Sequence, residues 1–327
     1  MTKLTIRSIK TYIKMKTFEM PIVTREIAIK YLIDHNVVAI PTETVYGLAA
    51  DATSDEAVAK IYSLKSRPQF NPLIMHVPFI DMVEEWANIS EFARELMEEF
   101  WNKRGASISF VLELKKSHPL SLLALAGLST VAVRRPNHPM AIDILNSLPF
   151  PLAAPSANRS NMLSTTTANH VLNNLGKQVP VVDGGSCVVG LESTIVDITQ
   201  DQMTILRLGA VTDVDLEPFG KVNHANIDGA IKAPGMMRRH YSPQRPLKMN
   251  VAEKEFEMAL LGFGDCPGAD LNLSTSGNLN EAASNLFRYL HELDKEPFSS
   301  IGVSAITNTG IGKAINDRLR RACVATY

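Results

Sequence analysis

Apolar positions in the first two hundred residues switch repeatedly between helical and strand-like spacing. From Thr24 to Asn36, Ile27, Ile29, Tyr31, Leu32 and Ile33 loosely follow a helical period, and VVAIP at 37–41 then reads as a short strand. Ser54 before Asp55 and Glu56 marks a helix start, and Val58, Ile61 and Leu64 carry a stripe to Lys65, where Pro68 stops simple continuation. Strands are expected at LIMHV (73–77), ISFVLEL (108–114), TVAVR (130–134), PLAAP (151–155), PVV (180–182), STIVDI (193–198) and TILRL (204–208). Helical stretches near 79–86, 90–101 and 166–175 lie among them. The pattern predicts one α/β domain over 21–208.

Residues 209–246 keep no sustained period and are rich in Gly, Pro and Asn, so they read as a linker. A structureless run of more than about 15 residues is either disordered or functional, and the basic-aromatic cluster RRHY favours a functional lid here. From Leu247, MALLGFG, the Ala- and Leu-rich stretch Leu279 to Leu293, IGVSAI and a final basic helix predict a small second α/β domain over 247–327. Residues 1–20 carry five Lys or Arg before the first acid, Glu19, and are expected to form a disordered basic extension.

Composition narrows the function classes. The 327 residues are 45% hydrophobic and 20% charged, and no apolar run nears the ~18 residues that span a bilayer, so no membrane partner is expected. A net charge of −1 argues against a surface devoted to nucleic acid. Cys187, Cys266 and Cys323 form no CxxC pair, which fits a reducing cytoplasm, and the eight histidines show no metal-binding spacing, so no metal ligands are expected. GFGDCPG (262–268) and GIGK (310–313) miss the dinucleotide and P-loop spacings, and Ser156 in APSAN lacks the glycines of a hydrolase elbow.

The candidate chemistry begins with Lys65 and Arg67, two apart where the helix meets Pro68. A fork and a mobile point charge side by side suit a polyphosphate, although basic groups at a helix end are commonly just solvated. Ser156 and Asn158, also two apart beyond a strand, offer hydrogen bonds to phosphate or ribose oxygens. Thr130 and Arg134 of TVAVR and Arg207 of TILRL add polar groups to apolar strands, as an anion cleft would need.

Together PTETVYGLAADA (41–52), K-S-R (65–67) with NPLIMH (71–76), STVAVRRPNHP (129–139), LAAPSANRS (152–160), LESTIVD (191–197), ILRLGA (205–210) and PGMMRRHYSP (234–243) resemble the YrdC-domain L-threonylcarbamoyladenylate synthases, in the longer two-domain form. The resemblance implies a YrdC-like twisted mixed sheet with helices, joined by a long linker to a small Rossmann-like domain. It implies that L-threonine, bicarbonate and ATP, with Mg²⁺ on the triphosphate, give threonylcarbamoyl-AMP and pyrophosphate. That is the first step of N6-threonylcarbamoyladenosine formation in tRNA, and the product passes to a separate tRNA threonylcarbamoyl-transferase complex.

Carried over motif by motif, L-threonine would meet Thr44, His76, Arg134, Ala154 and Ser193. ATP would meet Arg67, Asn71, Thr130, Ser156, Asn158, Ser164, Arg207 and Tyr241, with Lys65 and Arg67 acting on the phosphates in catalysis. Pro68 is expected to turn those two cations into the cleft. A competing reading makes the same fold a double-stranded RNA-binding module, and weak RNA binding is compatible with either. Where the family would show FWPGPLT, this chain has Phe100 and Trp101 running into NKRGASIS, so the geometry of 102–109 is expected to differ.

Overall fold

A computed structural model describes residues 21–225 and 240–323. The N-terminal extension at 1–20 and most of the lid motif, 234–239, lie outside the described residues.

In chain order the first half carries α1 (Arg25–Ile33), β1 (Val38–Ile40), β2 (Gly47–Asp51), α2 (Asp55–Lys65), β3 (Ile74–His76), α3 (Ile80–Glu84) and α4 (Glu91–Met97). It continues with β4 (Ile108–Glu113), α5 (Leu122–Leu125), β5 (Thr130–Arg134), α6 (Pro139–Asn146), β6 (Leu152–Ala153), α7 (Ala168–Leu175), β7 (Thr194–Asp197), β8 (Met203–Arg207), α8 (Asp213–Leu216) and β9 (Val222–His224). The nine strands form one mixed sheet in the order β1-β2-β6-β3-β5-β4-β7-β8-β9. In the second half, β10 (Leu247–Met249), β11 (Met258–Gly262), β12 (Leu271–Asn272), α9 (Leu279–Leu293), β13 (Ser300–Val303) and α10 (Gly312–Ala322) surround an all-parallel sheet ordered β10-β13-β11-β12. Both halves are α/β as the patterning predicts, and the mixed sheet beside a smaller parallel one agrees with what the resemblance implies.

Several local expectations change. PVV at 180–182 forms no strand: Val181 makes isolated bridges to Ile22 and Ala39, and Pro180, which has no N–H to donate, accepts at its carbonyl from Ala39 N at 2.8 Å. GLAAD (47–51) becomes a wholly buried strand although Gly and Ala favour strands poorly, because β1 and β6 bracket it. The presumed linker begins as structure: β9 pairs in parallel with β8, so the large sheet runs past residue 208 to His224.

The altered segment after Trp101 is absorbed by a π-helical turn over Glu98–Lys103. It buries Phe100 and Trp101, whose Nε1 donates to the Ile108 carbonyl at 3.1 Å, while the Arg104 guanidinium lies 4.9 Å from the centre of the Phe100 ring. No helix among the described residues is long and apolar enough to cross a membrane.

The halves meet in a shared core. Val45, Leu163, Leu191 and Tyr241 pack with Leu286, Phe287 and Ile315 of the second domain. Beside this seam, Gly209 passes so close to β7 that an added Cβ would lie 2.3 Å from Thr194 N and 2.6 Å from the Glu192 carbonyl. Both obstacles are backbone. Gly209→Ala is expected to lower stability by about 1–3 kcal/mol, read as a lower urea midpoint at unchanged slope; an unchanged midpoint would show that the seam yields freely.

Candidate active site

Period-two alternation builds the wall of the cleft. Met75, Val77, Phe110, Leu112, Val131 and Val133 point into the main core, so their strand neighbours face the other way. Those neighbours include a small apolar patch of Ile74, Val111, Ala132 and Ile195. On the same face, His76 sits beside Arg134 in register across β3 and β5, and Ile195 lies opposite Arg207 across β7 and β8. A cleft opens there, lined in part by Arg67, His76, Arg134, Glu192, Arg207 and Tyr241.

Lys65 and Arg67 are both buried, at 1% and 8% exposure, so they are not solvated helix-end charges. The turn is made by Ser66 rather than by Pro68: Ser66 adopts a left-handed conformation at φ 51° and ψ 44° and closes the helix, with Arg67 N bonded to the Tyr62 carbonyl at 3.0 Å. The Lys65 ammonium donates to the carbonyls of Ser156, at 2.5 Å, and Asn158, while its own carbonyl accepts from Ser160 N at 2.8 Å. Lysine and S-x-N loop are therefore one unit. Burial, followed by the charge of Arg67, pushes the Lys65 pKa well below the ordinary lysine value.

Arg67 is held by the carbonyls of Asn71 (Nε, 3.2 Å) and Pro72 (Nη2, 2.9 Å), and burial brings its pKa down to about 10. Arg207 donates from Nε and Nη2 to the Ser193 carbonyl at 3.0 and 2.8 Å, and Nη2 also reaches Ser193 Oγ at 3.0 Å; burial lowers its pKa to about 10 as well. Arg134 donates to Glu43 at 2.5 Å, and its buried Nε has no hydrogen-bond partner among the described residues. Burial pushes the Glu43 carboxyl up, but Arg134 prevails and its pKa is lowered. His76 is driven down to about 3 by burial first and Arg134 second.

Of the residues expected from sequence, Arg67, His76, Arg134, Ala154, Ser156, Arg207 and Tyr241 line the cleft. Others stand behind it. Thr44 bonds to the lining residue Thr42, hydroxyl to hydroxyl at 2.9 Å, and Ser193 braces Ser109 at 2.8 Å as well as Arg207. Asn158 uses its amide to hold the carbonyls of Arg159 and Met162 at 2.8 and 2.9 Å, and the buried Asn71 offers its carbonyl to Arg67. Ser164 is fully buried and donates to Glu192. Thr130 shares the cleft face of β5 but starts that strand opposite Glu113, about 13 Å from Arg134 at strand rise.

Tyr241 is buried against Phe287, with ring centres 5.6 Å apart, and burial raises its phenol to about 12. It thus stands as a packed wall of the cleft. Sequence reasoning assigned no role to Thr42, Glu43, Glu192 or His240, although each sits inside a quoted motif. It also missed Arg318, which pairs with Glu192 at 2.9 Å from the second domain and whose only signal was a basic terminal helix. Burial pushes the Glu192 carboxyl up, but Arg318 and Arg207 outweigh it and hold its pKa at about 2.

Residues 30–209 match the family of Sua5, YciO and YrdC proteins described as telomere recombination, and residues 204–324 match the threonylcarbamoyl-AMP synthase C-terminal domain. The chain is 33% identical to the threonylcarbamoyl-AMP synthase of Bacillus subtilis, over 88% of this chain and 90% of that one. It is 34% identical to that of Pyrococcus abyssi, over 90% and 93%. The crystal structure of P. abyssi Sua5 complexed with L-threonine superposes with a TM-score of 0.83 at 31% identity, over 91% of this chain and 94% of that one.

His76 and His240 both have pKa values lowered to about 3, with burial the leading cause, so both are neutral when folded. The unfolded imidazole takes a proton near pH 6.5, so their stabilisation is whole above that pH and is lost progressively as pH falls toward 3. At pH 5.5 each should cost about 1.4 kcal/mol relative to pH 7.5. A urea midpoint that stays level between those two pH values would refute neutral burial.

Proposed function

The chain belongs to the Sua5 and YrdC family of threonylcarbamoyl-AMP synthases, in its two-domain form, and from that premise we propose that its cleft joins L-threonine, bicarbonate and ATP into threonylcarbamoyl-AMP with release of pyrophosphate. The observation that carries the reading is one of charge: Arg67, Arg134 and Arg207 converge on the cleft with Lys65 behind them, while Glu192, the one carboxylate lining it among the described residues, is already paired with Arg318. Such a wall favours anions with several oxygens.

Arg134 would take the threonine carboxylate, since Glu43 engages its Nη2 while its buried Nε has no partner among the described residues. His76 beside it is neutral, and with Ala154 and Thr44 it would frame the ammonium and hydroxyl end. Arg67, Arg207 and the S-x-N loop held by Lys65 would receive the triphosphate, with Asn71, Ser164 and Tyr241 shaping the nucleotide end. Thr130 lies along the same strand face, far enough away to meet the opposite end of an extended nucleotide.

The threonine amine and bicarbonate give a carbamate and water. A carbamate oxygen then attacks the α-phosphorus, and the bond to the bridging oxygen breaks as pyrophosphate leaves. This makes the reaction a nucleotidyl transfer, in which Lys65 and Arg67 lower the barrier by holding the phosphates and offsetting charge on the departing group. Mg²⁺ would enter on the triphosphate's own oxygens, because Glu43 and Glu192 are both engaged by arginines. The product is a reactive mixed anhydride, and a transferase acting on tRNA adenosine is its natural consumer.

Pyrophosphate release from ATP is expected to require both L-threonine and bicarbonate; release without threonine, or none at all, would defeat the reading. Arg134→Lys keeps the charge that Glu43 needs but loses the fork, so the KM for L-threonine should rise roughly tenfold with kcat little changed.

A further inference from the structure

The second domain reaches the cleft-lining Glu192 through a buried side chain. Arg318 on α10 is 1% exposed; its Nε donates to Glu192 at 2.9 Å, its Nη2 to the Leu208 carbonyl at 2.7 Å, and its Nη1 to Asp317 at 2.9 Å. The other oxygen of Glu192 accepts the Ser164 hydroxyl. The Arg318 guanidinium also lies 5.1 Å from the centre of the Tyr241 ring. A separate contact meets the same serine from behind, where His291 Nε2 on α9 lies 3.0 Å from the Ser164 carbonyl. By contrast Lys313 and Asp213, which also pair between the halves, keep 39% and 19% of their side chains exposed and are better screened.

We propose that Arg318 is a positioning residue for the synthase reaction: by gripping Glu192 it sets the Ser164 hydroxyl and the Tyr241 ring at the nucleotide end of the cleft, so the second domain completes the active site without touching substrate. The proposal rests on the reading that the cleft binds ATP and threonine. A carboxylate buried as Glu192 is stays ionised only with a cation at hand. Among the described residues the charged and titratable groups around it are Arg318 on α10, Arg207 on β8, Lys65 on α2, and His240 and Tyr241 of the segment entering the second domain. Arg318 is the group bonded to it directly and the largest of the influences holding the carboxyl down.

The test compares wild type, R318K, R318M and R318M/E192Q in threonine-dependent pyrophosphate release, measured against ATP concentration between pH 5.5 and 8.5, with thermal melts beside it. R318M should raise the KM for ATP roughly tenfold and add an acid limb absent from wild type, as Glu192 loses its partner and takes up a proton. R318M/E192Q should lack that limb, because an amide at position 192 takes up no proton in this range. R318K, which keeps the charge but not the two-way grip, should fall between wild type and R318M in KM without the acid limb.

Wild-type KM and wild-type pH profile in R318M would overturn the proposal. If R318M does not fold, R318K decides it, and an ATP KM equal to wild type overturns it. An acid limb that persists in R318M/E192Q would equally overturn it. A wild type that releases no threonine-dependent pyrophosphate counts against the reading of the cleft, whereas an active wild type matched by its Arg318 variants counts against the positioning role alone.

Discussion

An ammonium ion removed from water has to be given acceptors, and Lys65 finds its own on a loop some ninety residues further along the chain. That bond ties the C-terminal end of α2 to the turn after β6, and so ties the K-x-R segment to the S-x-N segment. Much of the cleft follows from it. Once Ser156 and Asn158 are held, the Asn158 amide can organise Arg159 and Met162, and Ser160 N can return to the Lys65 carbonyl. With two carbonyls engaged, the lysine is as much the organiser of the S-x-N loop as a charge beside it.

The remaining electrostatics follow one design, in which each buried arginine is braced before any substrate arrives. Arg67 leans on the carbonyls of Asn71 and Pro72, Arg207 on Ser193, Arg134 on Glu43, and Arg318 on Glu192 and the Leu208 carbonyl. Backbone carbonyls hold a guanidinium in place without cancelling its charge, whereas a carboxylate nearly cancels it. Arg67 and Arg207, braced by carbonyls, keep their positive field for the cleft; Arg318, braced by carboxylates, does not. The division of labour among chemically identical side chains therefore follows from what stands behind each of them.

The sequence was legible where a local pattern decided the outcome. The stripe Val58, Ile61 and Leu64, the alternating TVAVR and the amphipathic Leu279–Leu293 all appear as read, and seven of the expected site residues line one cleft. It was opaque where partners are distant. GLAAD has little strand propensity and becomes a strand because β1 and β6 enclose it; β9 exists because β8 offers it an edge. Pro68 looked like the device that turns Lys65 and Arg67, yet Ser66 does it by adopting a conformation that its side chain does not announce. Glu43, Glu192 and Arg318 went unassigned for a related reason, since an ion pair spanning 126 residues, as Arg318 and Glu192 do, leaves no mark in either neighbourhood.

That last pair explains why the two domains share a core instead of merely sharing a chain. Leu191 packs with Leu286 and Phe287 of the second domain, while the next residue, Glu192, turns to the cleft and to Arg318. Apolar contact and ion pair thus lie one residue apart, so the seam cannot loosen without disturbing the acid. A buried ion pair adds little net stability by itself, but losing one partner leaves an uncompensated charge, typically at a cost of about 3–5 kcal/mol. The pair therefore penalises partial opening more than it rewards closure. If the cleft forms the mixed anhydride as proposed, such a penalty would favour the closed arrangement that keeps water from it.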